Sequence, residues 1–277
     1  MPSKGRWLGT MNPFRTLSTA RRAMTETMPA PAGLPEGLTE RLQRFASDHD
    51  FARLYTRYEW QRDEWRGGFP DILKLEKQLT KNAKSNIVTN EDVIAVAKWA
   101  KHRNIANIQC PDVLSLPLKG TQGERAPIIL GGPAGLATQI GQATKWLGPT
   151  TISKVLRFAV PKEFGAIDTR IVRVVGQGDK RSKREDWLSL RVADYGSGPH
   201  IPASQSAWPS DYQKWVNILR FFVDLLNGSG VACPHPDGFV VNRVRTRAVW
   251  ACADVEMALF GWASSQIISE RRRCRDA

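Results

Sequence analysis

The chain has 277 residues, 42% of them hydrophobic, which is enough for a sizeable core in one large domain or two packed lobes. A formal net charge of +13 and a pI near 9.9 exceed what an enzyme of small metabolites needs and point to a polyanionic partner, nucleic acid first. No apolar run reaches the roughly 18 residues of a spanning helix, so no membrane association is expected. The cysteines Cys110, Cys233, Cys252 and Cys274 never fall at a CxxC spacing, which argues against an iron–sulfur cluster or a clustered-cysteine zinc site. They read as free thiols of a reducing, cytoplasmic setting.

Residues 1–25 carry Lys4, Arg6, Arg15, Arg21 and Arg22 and no acid. This composition suits a disordered basic arm, a transit-like segment or sequence upstream of a later start. The Pro/Gly-rich stretch 28–37 reads as a linker, with the folded part, 38–277, beginning near Leu38. Thr39 to Tyr58 then shows helical spacing, interrupted near Asp48. The aromatic and basic stretch YEWQRDEWRGG, with Trp60 and Trp65, suits helix or core packing better than base stacking. Pro70 opens another helix, and Thr89 with Glu91 and Asp92 reads as a capped helix start.

A helix over 210–227 places Trp215, Leu219, Phe222 and Leu226 on one face, with Gly228 as its stop. The segment from Arg243 to Ile268 reads as one long buried element. Cys233 and His235 lie close together but are flanked by prolines, and two ligands do not make a metal site, so a loop is expected there. Strand alternation is scarce, and the fold class is read as all-α.

Chemistry concentrates in KWLGPTTISKVLRFAVPKEFGAIDTRIVRVVG, residues 145–176. Trp146-Leu147-Gly148-Pro149 makes a tight turn, and Pro149 suits the first turn of a helix over 150–159. Amides at Leu147, Gly148, Thr150 and Thr151 would then face outward as an anion site suited to a DNA phosphate. Pro161 ends that helix, and Asp168-Thr169 opens the next. An Asp at this place is also an ordinary N-cap, and the two roles are compatible, because a carboxylate at a helix N-terminus stays ionised.

This stretch resembles the hairpin and catalytic segment of the helix-hairpin-helix DNA glycosylases, and is most similar to the 8-oxoguanine-glycosylase-like members. Gly148 matches the second hairpin glycine, Ile167-Asp168-Thr169-Arg170 the aspartate segment, and Arg173 the following helix arginine. Three departures stand out: Trp146 replaces the first hairpin glycine, Arg170 replaces a histidine, and the iron–sulfur cysteines are missing. The resemblance implies a two-lobed helical fold and a monomeric enzyme that uses no cofactor or metal. Its implied activity is release of a damaged or modified base from double-stranded DNA, for repair or against modified phage DNA, with Asp168 as the catalytic carboxylate. Thr150 stands where the lyase members carry lysine, so the expected enzyme is monofunctional. Lys154, one turn on, is the alternative lyase nucleophile, although a surface phosphate contact is the first expectation for it. Arg170 and Arg173, with Lys180, Arg181, Lys183 and Arg184 of the basic loop 179–186, are the further candidates for holding phosphates. A non-catalytic DNA-binding protein is the rival reading.

Overall fold

The computed structural model describes residues 33–118, 132–194 and 198–273, with side chains up to Ile267. The basic segment 1–32 and Cys274 lie outside the described residues. The fold is predominantly helical with minor β elements. Helix α1 (Glu36–Asp48) buries Leu38, Leu42, Phe45 and Ala46, a single stripe at helical spacing. The chain is therefore helical two residues before the expected boundary at Leu38, and Leu34 is already buried. Helix α2 (Phe51–Tyr55) follows a break at His49, and the Asp50 carboxylate accepts the Arg53 amide as its cap.

The stretch with two tryptophans is a hairpin, β1 (Glu59–Trp60) against β2 (Asp63–Glu64), with Trp60 and Trp65 packed on the core. Its buried Asp63 accepts the Asp71 and Ile72 amides at 2.9 and 3.1 Å, capping α3 (Pro70–Ala83) from outside that helix. Strand β3 (Ile87–Thr89) pairs antiparallel with β4 (Val113–Ser115). Between them α4 (Asn90–Trp99) starts at a capping box, in which Thr89 accepts the Asp92 amide and Asp92 accepts the Thr89 amide.

Helices α5 (Gly132–Ala143), α6 (Pro149–Ala159) and α7 (Thr169–Val175) carry the motif region. A small pair, β5 (Ala193–Asp194) with β6 (Pro199–His200), precedes α8 (Ser210–Gly228). Helix α9 (Asp237–Val241) and α10 (Cys252–Arg273) complete the chain. The expected long element from Arg243 is shorter than read, because residues 243–251 are a loop. Arg243 and Ala248 take positive φ there, and Trp250 exchanges hydrogen bonds with the Asn227 side chain.

Helix α10 is the spine. Its residues 252–263 are buried all round, and it packs on α2, α7 and α8. Gly261 permits the close approach to α2, since a Cβ there would sit 2.8 Å from the Leu54 carbonyl oxygen. On the other side α3 packs on α4 and α6, and α5 on α6 and α8. Helix α6 is thus enclosed, which accounts for its ten buried residues out of eleven.

Candidate functional site around Asp168

Helix α6 begins with Gly148 as N-cap and Pro149 in its first turn. Trp146 is 61% exposed and takes a φ of 66°, the left-handed region that favours glycine. The turn is held by mutual amide–carbonyl bonds between Gln109 and Lys145 and by the buried Leu147. The Thr151 amide donates to the Gly148 carbonyl at 3.0 Å, so it is spent within the turn and does not face outward as expected.

The chain between α6 and α7 is clipped from several sides. The Ser153 hydroxyl accepts the Ile167 amide at 3.0 Å, and the Trp215 indole donates to the Ala166 carbonyl at 3.0 Å. Arg220 pairs with Glu163 at 3.0 Å, and the Ala253 amide donates to the Pro161 carbonyl at 3.0 Å. This bracing fixes Asp168 at the N-cap of α7, where its Oδ1 accepts the Arg170 amide at 3.0 Å.

The other Asp168 oxygen, Oδ2, meets Lys154 Nζ at 3.0 Å, with both side chains less than a tenth exposed. Lys154 is therefore buried, and the expectation of a surface phosphate contact is wrong. Helix α6 is enclosed on nearly every side, and Lys154 falls within the enclosed part. The ammonium lies 5.5 Å from the ring centroids of both Trp60 and Trp99, a favourable cation–π setting. The Trp99 indole donates to Asp63 at 2.7 Å, so the residue that caps α3 also orients one wall of the lysine site.

Burial alone would push the Asp168 carboxyl up. The Lys154 charge and the Arg170 amide outweigh it and hold the carboxyl below the usual aspartate range. Glu256 on α10 behaves oppositely: burial, with the like charge of Asp168 adding to it, pushes it up to about 7, against the pull of Arg157 and Lys154. Arg157 stands 2.7 Å from Glu76 and 3.5 Å from Glu256. Asp63, Glu76 and Glu256 belong to this polar interior, yet sequence reasoning missed all three. Glu256 carried only the weak signal of a charge inside a largely apolar stretch, whereas Glu76, between Lys74 and Lys77, carried none.

Arg170 turns inward. Its guanidinium lies 5.4 Å from the Trp60 ring and 5.1 Å from the Phe260 ring and donates to Ser264 at 3.2 Å. A cleft of about 430 Å³ opens beside it, lined by Arg57, Glu59, Trp60, Lys101, Arg170 and Ser264. Trp60 and Arg170 thus border both the cleft and the Asp168 neighbourhood.

The remaining basic candidates sit apart from one another in role. Arg173 donates to Asp179 at 2.5 Å, and Asp179 also accepts the Arg181 and Ser182 amides, so this arginine braces the loop 179–186. Lys183 pairs with Asp186 at 2.8 Å, and Arg184 donates to its own loop carbonyls and to Gln266. Lys180 and Arg181 are exposed. No family model, no curated protein and no solved structure matches this chain.

Proposed function

We propose that the chain is a DNA glycosylase with a two-lobed helix-hairpin-helix fold, acting as a cytoplasmic monomer on double-stranded DNA that contains a damaged or modified base. The observation that carries this reading is Asp168: a buried carboxylate kept ionised, capping α7 behind a turn–helix element and braced by four independent clips. A base in a duplex is out of reach, so it is extruded. The cationic cleft walled by Trp60 and Arg170 offers a flat aromatic surface and hydrogen-bonding groups to receive it.

As the C1′–N bond breaks, its electron pair leaves with the base, which takes up a proton, and positive charge builds on the sugar. Asp168 offsets that charge, and a water oxygen bonds to C1′ while its proton passes to the carboxylate or to solvent. The test is release of free base from a panel of duplexes with oxidised, alkylated, deaminated and hypermodified bases. No release from any of them, with DNA binding intact, favours the non-catalytic alternative.

A second reading rests on the 3.0 Å contact between Lys154 and Asp168, which places an amine next to the catalytic carboxylate. An amine attacks C1′ only with its lone pair free, and the Lys154 nitrogen is taken up by the Asp168 carboxylate at 3.0 Å, so hydrolysis is the primary reading. Borohydride trapping separates the two: an adduct formed by the wild type and absent in Lys154→Ala makes Lys154 a lyase nucleophile.

A further inference from the structure

The loop that precedes α9 reaches into the interior beside the first turn of α10. Cys233 and His235 flank Pro234 in a tight turn, in which the His235 amide donates to the Cys233 carbonyl at 2.9 Å. Pro234 and Pro236 fix the local backbone, the Trp65 indole holds the Pro234 carbonyl at 2.7 Å, and the Cys233 amide donates to the Ala248 carbonyl. These bonds present a thiol and an imidazole to Asp254 of α10. A ligand atom from each of the three residues lies within 4.8 Å of the others. Cys233 is 4% exposed, and the side chains of His235 and Asp254 are 1% and 0% exposed.

Two observations beyond that proximity bear on what the cluster holds. The first is spacing. His235 Nε2 and Asp254 Oδ2 are 3.1 Å apart, close to the separation of neighbouring ligands on a tetrahedral zinc ion with bonds of about 2.0–2.2 Å. The second is the donor set: a thiol, an imidazole and a carboxylate, all buried, are ligand types that zinc takes.

We propose that Cys233, His235 and Asp254 form a structural site for a divalent thiophilic cation, of which Zn²⁺ is the type. The cation sits between His235 Nε2 and Asp254 Oδ2, with the neutral imidazole carrying its proton on Nδ1, and the Cys233 thiol loses its proton to solvent as the sulfur–metal bond forms. Arg245 remains anchored through Glu76, at 2.6 and 3.0 Å, and donates to Asp254 Oδ1 at 2.8 Å and Oδ2 at 3.0 Å; the Ala251 amide also donates to Oδ2 at 3.0 Å, and a ligating carboxylate can keep these outer hydrogen bonds. The site ties the loop before α9 to the first turn of α10, the helix that carries Glu256, Phe260 and Ser264 toward Asp168 and Arg170. Its role is to hold that helix end, separately from any chemistry on DNA.

The test uses the full chain, stripped with a chelator and titrated with Zn²⁺ alone. The expected result is one tightly held ion per chain and a rise in melting temperature of about 4–8 °C at saturating metal. Cys233→Ser and His235→Gln should each abolish stoichiometric binding, while Cys110→Ser, at a thiol away from the cluster, should not. Should either cluster variant fail to fold, Co²⁺ substitution of the wild type decides the matter, because a thiolate ligand gives an intense sulfur-to-metal charge-transfer band. No retained metal, no such band, or binding that survives loss of Cys233 overturns the site.

Discussion

Lys154 and Asp168 are 14 positions apart in the chain, and their charged groups meet at 3.0 Å inside the protein. Each is the counter-charge that makes the other tolerable there. Replacing one partner of a buried pair costs far more than the pair contributes, because the survivor stays charged in a medium that cannot solvate it.

Asp168→Asn therefore should do two things. Base release should fall by at least about 100-fold, since the amide cannot offset charge on the sugar. Stability should fall too, by about 3 kcal/mol, since Lys154 loses its carboxylate. Adding Lys154→Met should restore most of the melting temperature and none of the turnover. A double variant that regains base release would remove Asp168 from the chemistry.

The same carboxylate sets an acid limit. Its folded-state pKa lies below the unfolded value near 3.8, so it contributes stability above that value and loses the contribution as pH falls through the folded pKa. Denaturant melts from pH 6 to pH 2 should show wild-type stability dropping below about pH 4. The Asp168→Asn/Lys154→Met chain should drop less steeply over that window. Equal slopes would mean that the pair is not titrating with folding.

Trp146 offers a test free of the catalytic reading. A non-glycine residue in the left-handed region costs roughly 1–2 kcal/mol, and this side chain is mostly exposed, so little packing is lost by removing it. Trp146→Gly should stabilise the fold by about 1 kcal/mol in equilibrium unfolding, after the entropy glycine adds to the unfolded chain. A fall in stability would show that the indole packs more than its exposure implies.

DNA affinity should decline steeply with salt, and the slope should be carried unevenly by the loop 179–186. Lys180 and Arg181 are exposed, whereas Lys183 is committed to Asp186 and Arg184 to loop carbonyls. Lys180→Gln/Arg181→Gln should reduce the slope of log affinity against log salt by up to about two units. Lys183→Gln/Arg184→Gln should change it by less. The reverse order would show that the intramolecular bonds are given up on DNA.

Local chemistry was the legible part of the sequence. Thr89 with Asp92, Pro70, Pro149 and the Asp168 cap act over one helical turn, and each stands where its residue type implies. The inward course of Lys154 was not legible, because α6 is buried on nearly all sides and periodicity picks out no solvent face. The helical run from Arg243 breaks at the loop 243–251, where only Arg245, Trp250 and Ala251 are buried and whose path is fixed by Asn227, a partner 23 residues away. The contact between Glu76 and Arg245 spans 169 positions, and no local pattern encodes it.

That last contact has a bearing on how the molecule opens. Glu76 on α3 bonds both Arg157 on α6 and Arg245, and these two reach Glu256 and Asp254 on α10. Pulling α3 away by itself would strip Glu76 from both guanidiniums, and peeling off α10 would strip Glu256 from one and Asp254 from the other, each while still buried. Partial unfolding of either helix is thereby penalised, while loss of both together lets every ion reach water. The amide hydrogens of α3, α6 and α10 should accordingly exchange with solvent as one cooperative unit, sharing a single denaturant dependence, even though these helices lie far apart in the chain.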